Sequence, residues 1–174
     1  MYVYNFTRMG GMPGMQGLQN LANGLNTLGA LAQQVPNPMG AGMAMGGSTT
    51  PVPVTLGQTV SGMLAVGDGI SPQGSLYDDF NIQLTPGVPV TIVTRGGPQT
   101  NPPTGGTVDV LTQLLFNGAE VARDDDSAGN LNSRIIYTPM MAGQYTIRVG
   151  TFGGSMRQGA YTMQTVPGAN PMMQ

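Results

Sequence analysis

The chain has 174 residues, enough for one well-buried core plus an extension and too few for two ordinary domains. Charged residues make up 8% of it, against roughly 25% in an average soluble protein, and a net charge of −2 with no basic run argues against nucleic acids and anionic membranes as partners. With no histidine and no cysteine it lacks the usual acid–base, nucleophile-activating and soft-metal groups, so disulfides, thiolate metal sites and most hydrolase mechanisms fall away and a non-enzymatic protein is expected.

Residues 1–53 read as an assembly extension whose first fifty residues carry one charged side chain, Arg8. In Tyr2, Val3, Tyr4, Asn5, Phe6 and Thr7 the aromatic rings fall at every second position, which predicts a short strand over 2–7 with its rings on one face. The Gly-Met-Pro run from Met9 to Gly14 breaks it. Leu18, Leu21, Leu25, Leu28 and Leu31 then recur three or four apart and predict an amphipathic helix over 15–34. Gly17, Gly24 and Gly29 each cost that helix about 1 kcal/mol relative to alanine, so it is expected to form only when docked against another surface. A linker over 36–53 follows, flexible from Met39 to Gly47 and stiffer from Ser48 to Pro53. The candidate assembly residues are therefore Tyr2, Val3, Tyr4, Phe6, Leu18, Leu21, Leu25 and Leu28. No apolar stretch approaches the roughly 20 residues that span a bilayer, so membrane insertion is not expected.

Beyond Val54 the texture changes to short runs of Val, Ile, Thr, Tyr and Leu separated by turn residues. Strands are predicted over 54–64, 77–84, 88–95, 108–116, 120–123, 134–138, 143–151 and 159–166. The fold class is all-β, a two-sheet antiparallel β-sandwich of about eight strands spanning 54–166, with a short tail over 167–174. In Tyr145, Ile147 and Val149, alternating with Thr146 and Arg148, the core side and the solvent side separate cleanly.

Five phrases occur in order: "VTLGQTVSGML", "LYDDFNIQLTPGVPVTI", "VDVLTQLLFNGAEVARDDD", "SRIIYTPMMAGQYTIRV" and "GAYTMQTV". Together they resemble the bacterial pre-peptidase C-terminal domain family over residues 54–166. The resemblance implies a β-sandwich of the kind appended to secreted enzymes, with a binding, secretion or processing role, calcium in some members and no catalytic residues to transfer. In this chain the residues ahead of the domain are the nearly uncharged extension rather than a peptidase, which puts the accessory role in doubt.

Asp124, Asp125 and Asp126, with Asn130, could offer several oxygens to one Ca²⁺, with Asp109 or Asp79 to complete the set; the alternative is a solvated turn whose carboxylates cap backbone amides. The arginines Arg95, Arg123, Arg134, Arg148 and Arg157 read as solvent-facing strand residues or cross-strand partners for the acids. Met9, Met12, Met15, Met43 and Met45 could ligate copper(I), although methionine more commonly fills irregular apolar contacts. Asn5 heads a glycosylation sequon, and the Ser/Thr/Pro stretches 48–55 and 99–107 could carry O-glycans.

Low charge, a strand with no partner nearby and a leucine stripe with no surface to cover it lead to one expectation. The chain is a structural subunit of an extracellular filament or surface layer, polymerising with copies of itself head to tail as the N-terminal strand of one subunit joins a sheet of the next. The alternative is a secreted calcium-dependent binding module for carbohydrate or matrix protein. An extracellular or cell-surface location is expected, although 1–7 has no basic-then-apolar signal pattern.

Overall fold

The computed structural model describes residues 42–43, 50–102 and 104–168. The strand predicted over 2–7, the helix over 15–34, the sequon at Asn5 and all eight candidate assembly residues lie outside the described residues, as do 169–174. Among the described residues eleven strands form two facing sheets: β1 (Gly42–Met43), β2 (Val52–Val54), β3 (Thr59–Leu64), β4 (Gly69–Ile70), β5 (Leu76–Leu84), β6 (Val90–Gln99), β7 (Val110–Phe116), β8 (Ala119–Asp124), β9 (Ser133–Tyr137), β10 (Gly143–Thr151) and β11 (Gly159–Pro167). The first sheet runs β1-β3-β11-β6-β9; the second runs β2-β5-β10-β7-β8, with β4 also on β5. Pairing is antiparallel except where β1 meets β3 and β2 meets β5.

Period-two alternation sends one side of each strand into the space between the sheets. Leu76, Phe80, Ile82 and Leu84 from β5, Leu114 from β7 and Tyr145, Ile147 and Val149 from β10 meet Val60 and Leu64 from β3, Ile92 from β6 and Tyr161 and Met163 from β11. The rings pack in preferred geometries, Phe116 stacked on Tyr145 at 4.5 Å and Phe80 edge-on to Tyr161 at 6.5 Å. The β7–β8 connection is the two-residue Asn117-Gly118 hairpin, with φ of 52° and 79°, the left-handed pair that a tight turn between twisted strands demands.

Two expectations need correction. The predicted strand 54–64 is two strands in different sheets: β2 lies along β5, the chain turns at Gly57 with φ of 88°, and β3 enters the first sheet beside β11. The strand expected to end at Arg95 continues to Gln99, because the backbone of 97–99 pairs with 106–108, Val108 N donating to Gly97 O and Gln99 N to Gly106 O. Gly96 permits this: a Cβ there would lie 1.9 Å from Val108 O.

Inside the sandwich three hydroxyls, all fully buried, tie the sheets together. Thr112 from β7 donates to Thr94 from β6 at 2.8 Å and also bonds Ser133 from β9. Each hydroxyl thus has a partner, which offsets the cost of its desolvation.

Candidate functional site

Asp124 ends β8 opposite Thr112, whose side chain faces the core, so its carboxylate is aimed across the gap between the sheets. There Asp124 Oδ2 accepts hydrogen bonds from Arg134 N at 2.7 Å and Ser127 N at 3.1 Å. Ser127 Oγ donates to Arg134 O, and the Arg134 guanidinium donates back to Ser127 O. The β8–β9 side of the sandwich is thereby laced shut by a charge-assisted clasp. Asp125 Oδ1 accepts from the adjacent Asp126 N, and Asn130 and Leu131 take left-handed φ values of 54° and 63° to bring the chain round. Asn132, which sequence reasoning passed over, joins this turn to the first sheet: its Oδ1 accepts from Gly96 N and its Nδ2 donates to Gly129 O.

Asp109 precedes β7 beside this turn, and its Oδ1 is buried with no hydrogen-bond partner. Burial, then the charges of Asp126 and Asp125, push its carboxyl above the usual range, while Arg157 opposes them. Asp109 therefore feels the charges of Asp126 and Asp125 from the turn beside it. Among the described residues, however, no three such side chains converge on a point that would hold a metal ion. Asp79 belongs elsewhere. It sits on β5, three strands from β8 and so roughly 14 Å across the sheet, in a bidentate pair with Arg148 at 2.8 Å.

The outer face of the second sheet holds a polar cleft of about 510 Å³. Cross-strand register sets Asp79, Arg148, Gln113 and Arg123 in one row. The Arg148 guanidinium lies 3.6 Å from the centre of the Tyr77 ring, which also lies over Gly69, where a Cβ would run into it. Gln113 and Arg123 both reach Glu120. Each charge here has a partner of opposite sign, so the cleft offers hydrogen bonding without net charge.

A third feature is the sheet edges. β1 lies on the edge of the first sheet, with Gly42 beside Val60 and Met43 beside Ser61. At the opposite edge, β9, the clasp already uses the backbone of Arg134. The β8 edge is longer and exposed, but it carries Glu120, Arg123 and Asp124 and a bulge in its pairing between Leu114 and Leu115, features that discourage a further strand.

No protein-family model matches the chain, and no curated protein matches it. Among solved structures it is similar to the pre-peptidase C-terminal domain of collagenase from Bacillus anthracis, at 14% identity over 75% of this chain and 99% of that one, with a TM-score of 0.44. It is also similar to PliG from Aeromonas hydrophila, a periplasmic inhibitor of g-type lysozyme, at 15% identity over 74% of this chain and 99% of that one, with a TM-score of 0.38. The first of these comes from the family that the five sequence phrases resemble.

Proposed function

We propose that this protein is a non-catalytic structural subunit of an extracellular filament or surface layer, which polymerises through its N-terminal extension by strand addition. The observation that carries the reading is β1: a segment of the nearly uncharged extension is seated as a strand on a sheet edge of its own chain, which shows that the edge accepts it. The surface suits repeated contact as well. Gly87 N donates to Pro139 O, which draws two connections together, and Val88, Met140 and Met141 stand exposed beside them, Met140 at 88%. Exposed apolar side chains grouped in this way favour burial against another subunit. Sedimentation velocity tests the reading. The full chain should run as large species and a chain lacking 1–47 as a monomer; large species from the truncated chain would sink it.

One observation favours a second reading, the calcium-dependent binding module. The unpartnered Asp109 Oδ1, under the charges of Asp125 and Asp126, is placed where a cation would relieve both desolvation and repulsion. Calcium at 100 times its dissociation constant would stabilise the fold by about 2.7 kcal/mol, and Asp109→Asn would remove most of that gain. An unmoved melting temperature across a calcium titration eliminates this reading.

A further inference from the structure

We infer that the cleft on the outer face of the second sheet binds a neutral oligosaccharide. This goes beyond the assembly reading and does not depend on it, and it involves neither the extension nor the acidic turn. The hollow follows from the register. One row of outward positions reads Tyr77, Gly150 and Leu111 across β5, β10 and β7, and the next reads Asp79, Arg148, Gln113 and Arg123. At Gly150 the β5 backbone passes close, so that a Cβ would lie 2.9 Å from Leu76 O. The missing side chain leaves a dip between Tyr77 and Leu111. The resulting cleft of about 510 Å³ falls within the roughly 300–1,000 Å³ of small-molecule sites.

One end of the cleft is built around an exposed aromatic ring. β10 runs into a short turn, Phe152–Gly154, where Gly153 and Gly154 take left-handed φ of 74° and 68°. Phe152 N donates to Asp109 O at 3.0 Å and Ser155 Oγ donates to Phe152 O at 3.2 Å, so the backbone is fixed on both sides. Gly154 lies against Gln73 O, nearer than a Cβ would permit. The Phe152 side chain held by this bracing is nevertheless 47% exposed and lines the cleft. Beside it stand Gln113, Glu120, Arg123 and Arg148, planar groups that donate and accept hydrogen bonds. An apolar platform next to such groups matches a pyranose, which has C–H bonds on a ring face and hydroxyls around its rim. Charge argues against ionic ligands: Asp79 is paired with Arg148, and Glu120 lies 3.7 Å from Arg123, so neither an anion nor a cation meets an uncompensated charge. Asp79 takes two of the five N–H groups on Arg148, so the ion pair leaves donor capacity for hydroxyls. An extended peptide would need open backbone, and β5, β10 and β7, which floor the cleft, are paired on both sides.

Saturation-transfer NMR tests this on the full-length chain, because it reads binding from the ligand's own protons whatever the assembled size of the protein. The probes are tetrasaccharides of glucose, mannose, galactose and N-acetylglucosamine in buffer containing EDTA, with inorganic phosphate and a capped, uncharged Gly/Gln peptide as competitors. At least one saccharide should receive saturation at its ring C–H protons, and its affinity should fall about tenfold in both Phe152→Ala and Gln113→Ala. Neither side chain belongs to the core, and a retained melting transition shows that each variant is folded. No transfer to any of the saccharides, or an affinity unchanged in either variant, overturns the inference. Displacement of the saccharide by phosphate or by the peptide overturns it too, by giving the cleft to another class of ligand. Binding that appears only when calcium replaces EDTA belongs to the calcium-dependent module instead and also overturns it. None of these outcomes bears on whether the chain forms filaments, which microscopy decides separately.

Discussion

Asp78→Asn should make the protein more stable at neutral pH, because Asp78 is a carboxylate facing the core. It alternates with Leu76 and Phe80 on the inward side of β5 and is 8% exposed. Its Oδ2 accepts a hydrogen bond from the Tyr161 hydroxyl at 2.7 Å, which joins the two sheets. Burial, supplemented by the like charges of Asp68 and Asp79 and partly offset by the Tyr161 bond, pushes its pKa from 3.8 to about 6. In the folded protein the proton is thus held more tightly than in the unfolded chain. The associated stability is fully present below pH 3.8 and is lost as the pH rises through about 6. The shift corresponds to a ceiling of about 3 kcal/mol, which screening by nearby water reduces to about 1–2 kcal/mol. Asparagine keeps an oxygen to accept from Tyr161 and never ionises. Urea denaturation at pH 4 and pH 7 should show the native chain losing stability between the two, and Asp78→Asn holding it, with a gain at pH 7 of about 1 kcal/mol and several degrees in melting temperature. A variant less stable than the native chain at pH 7, or one that keeps the same loss between pH 4 and 7, would refute the reasoning.

Asp124→Ala removes the acceptor for two backbone amides at the β8–β9 clasp and should cost about 2–3 kcal/mol in urea denaturation, while Asp124→Asn, which keeps one oxygen, should recover part of the loss. At Gly96 an added methyl would meet the Val108 backbone rather than a flexible side chain, so Gly96→Ala should destabilise the fold by about 3 kcal/mol or more and lower the melting temperature accordingly. At Gly87, whose φ is 73° and whose Cβ position is open, alanine should cost only about 1 kcal/mol of backbone strain, and a comparable loss at both sites would contradict the close-approach explanation. Thr112→Val leaves Thr94 and Ser133 without their shared partner and should destabilise by about 1–3 kcal/mol, measured in the same way.

Strands with one wet face were legible in the sequence: Tyr145, Ile147 and Val149 point inward as their alternation requires, and Asn117-Gly118 turns the chain where the dipeptide says it should. The break at Gly57 was not, because residues on both sides favour strands and only the three-dimensional arrangement sends them to different sheets. Gly96, Gly97 and Pro98 look like turn residues, yet they continue β6, the glycine answering the approach of Val108 O rather than a bend. At the candidate metal site the sequence grouped Asp124, Asp125, Asp126 and Asn130 with Asp109; in the structure the charges of Asp126 and Asp125 act on Asp109, while Asp124 Oδ2 accepts from two backbone amides. What it missed depends on register. Thr94, Thr112, Ser133 and Asn132 are ordinary polar residues until pairing brings them together across the sandwich. Asp78 could have been placed by parity, since it shares a face with Leu76 and Phe80.

Whether the extension drives assembly is decided most directly by electron microscopy of two preparations under the same conditions, the full chain and a chain beginning at residue 48. The account predicts unbranched filaments or ordered sheets from the first and dispersed single particles from the second. Filaments from the shortened chain, or dispersed particles from both, would contradict it.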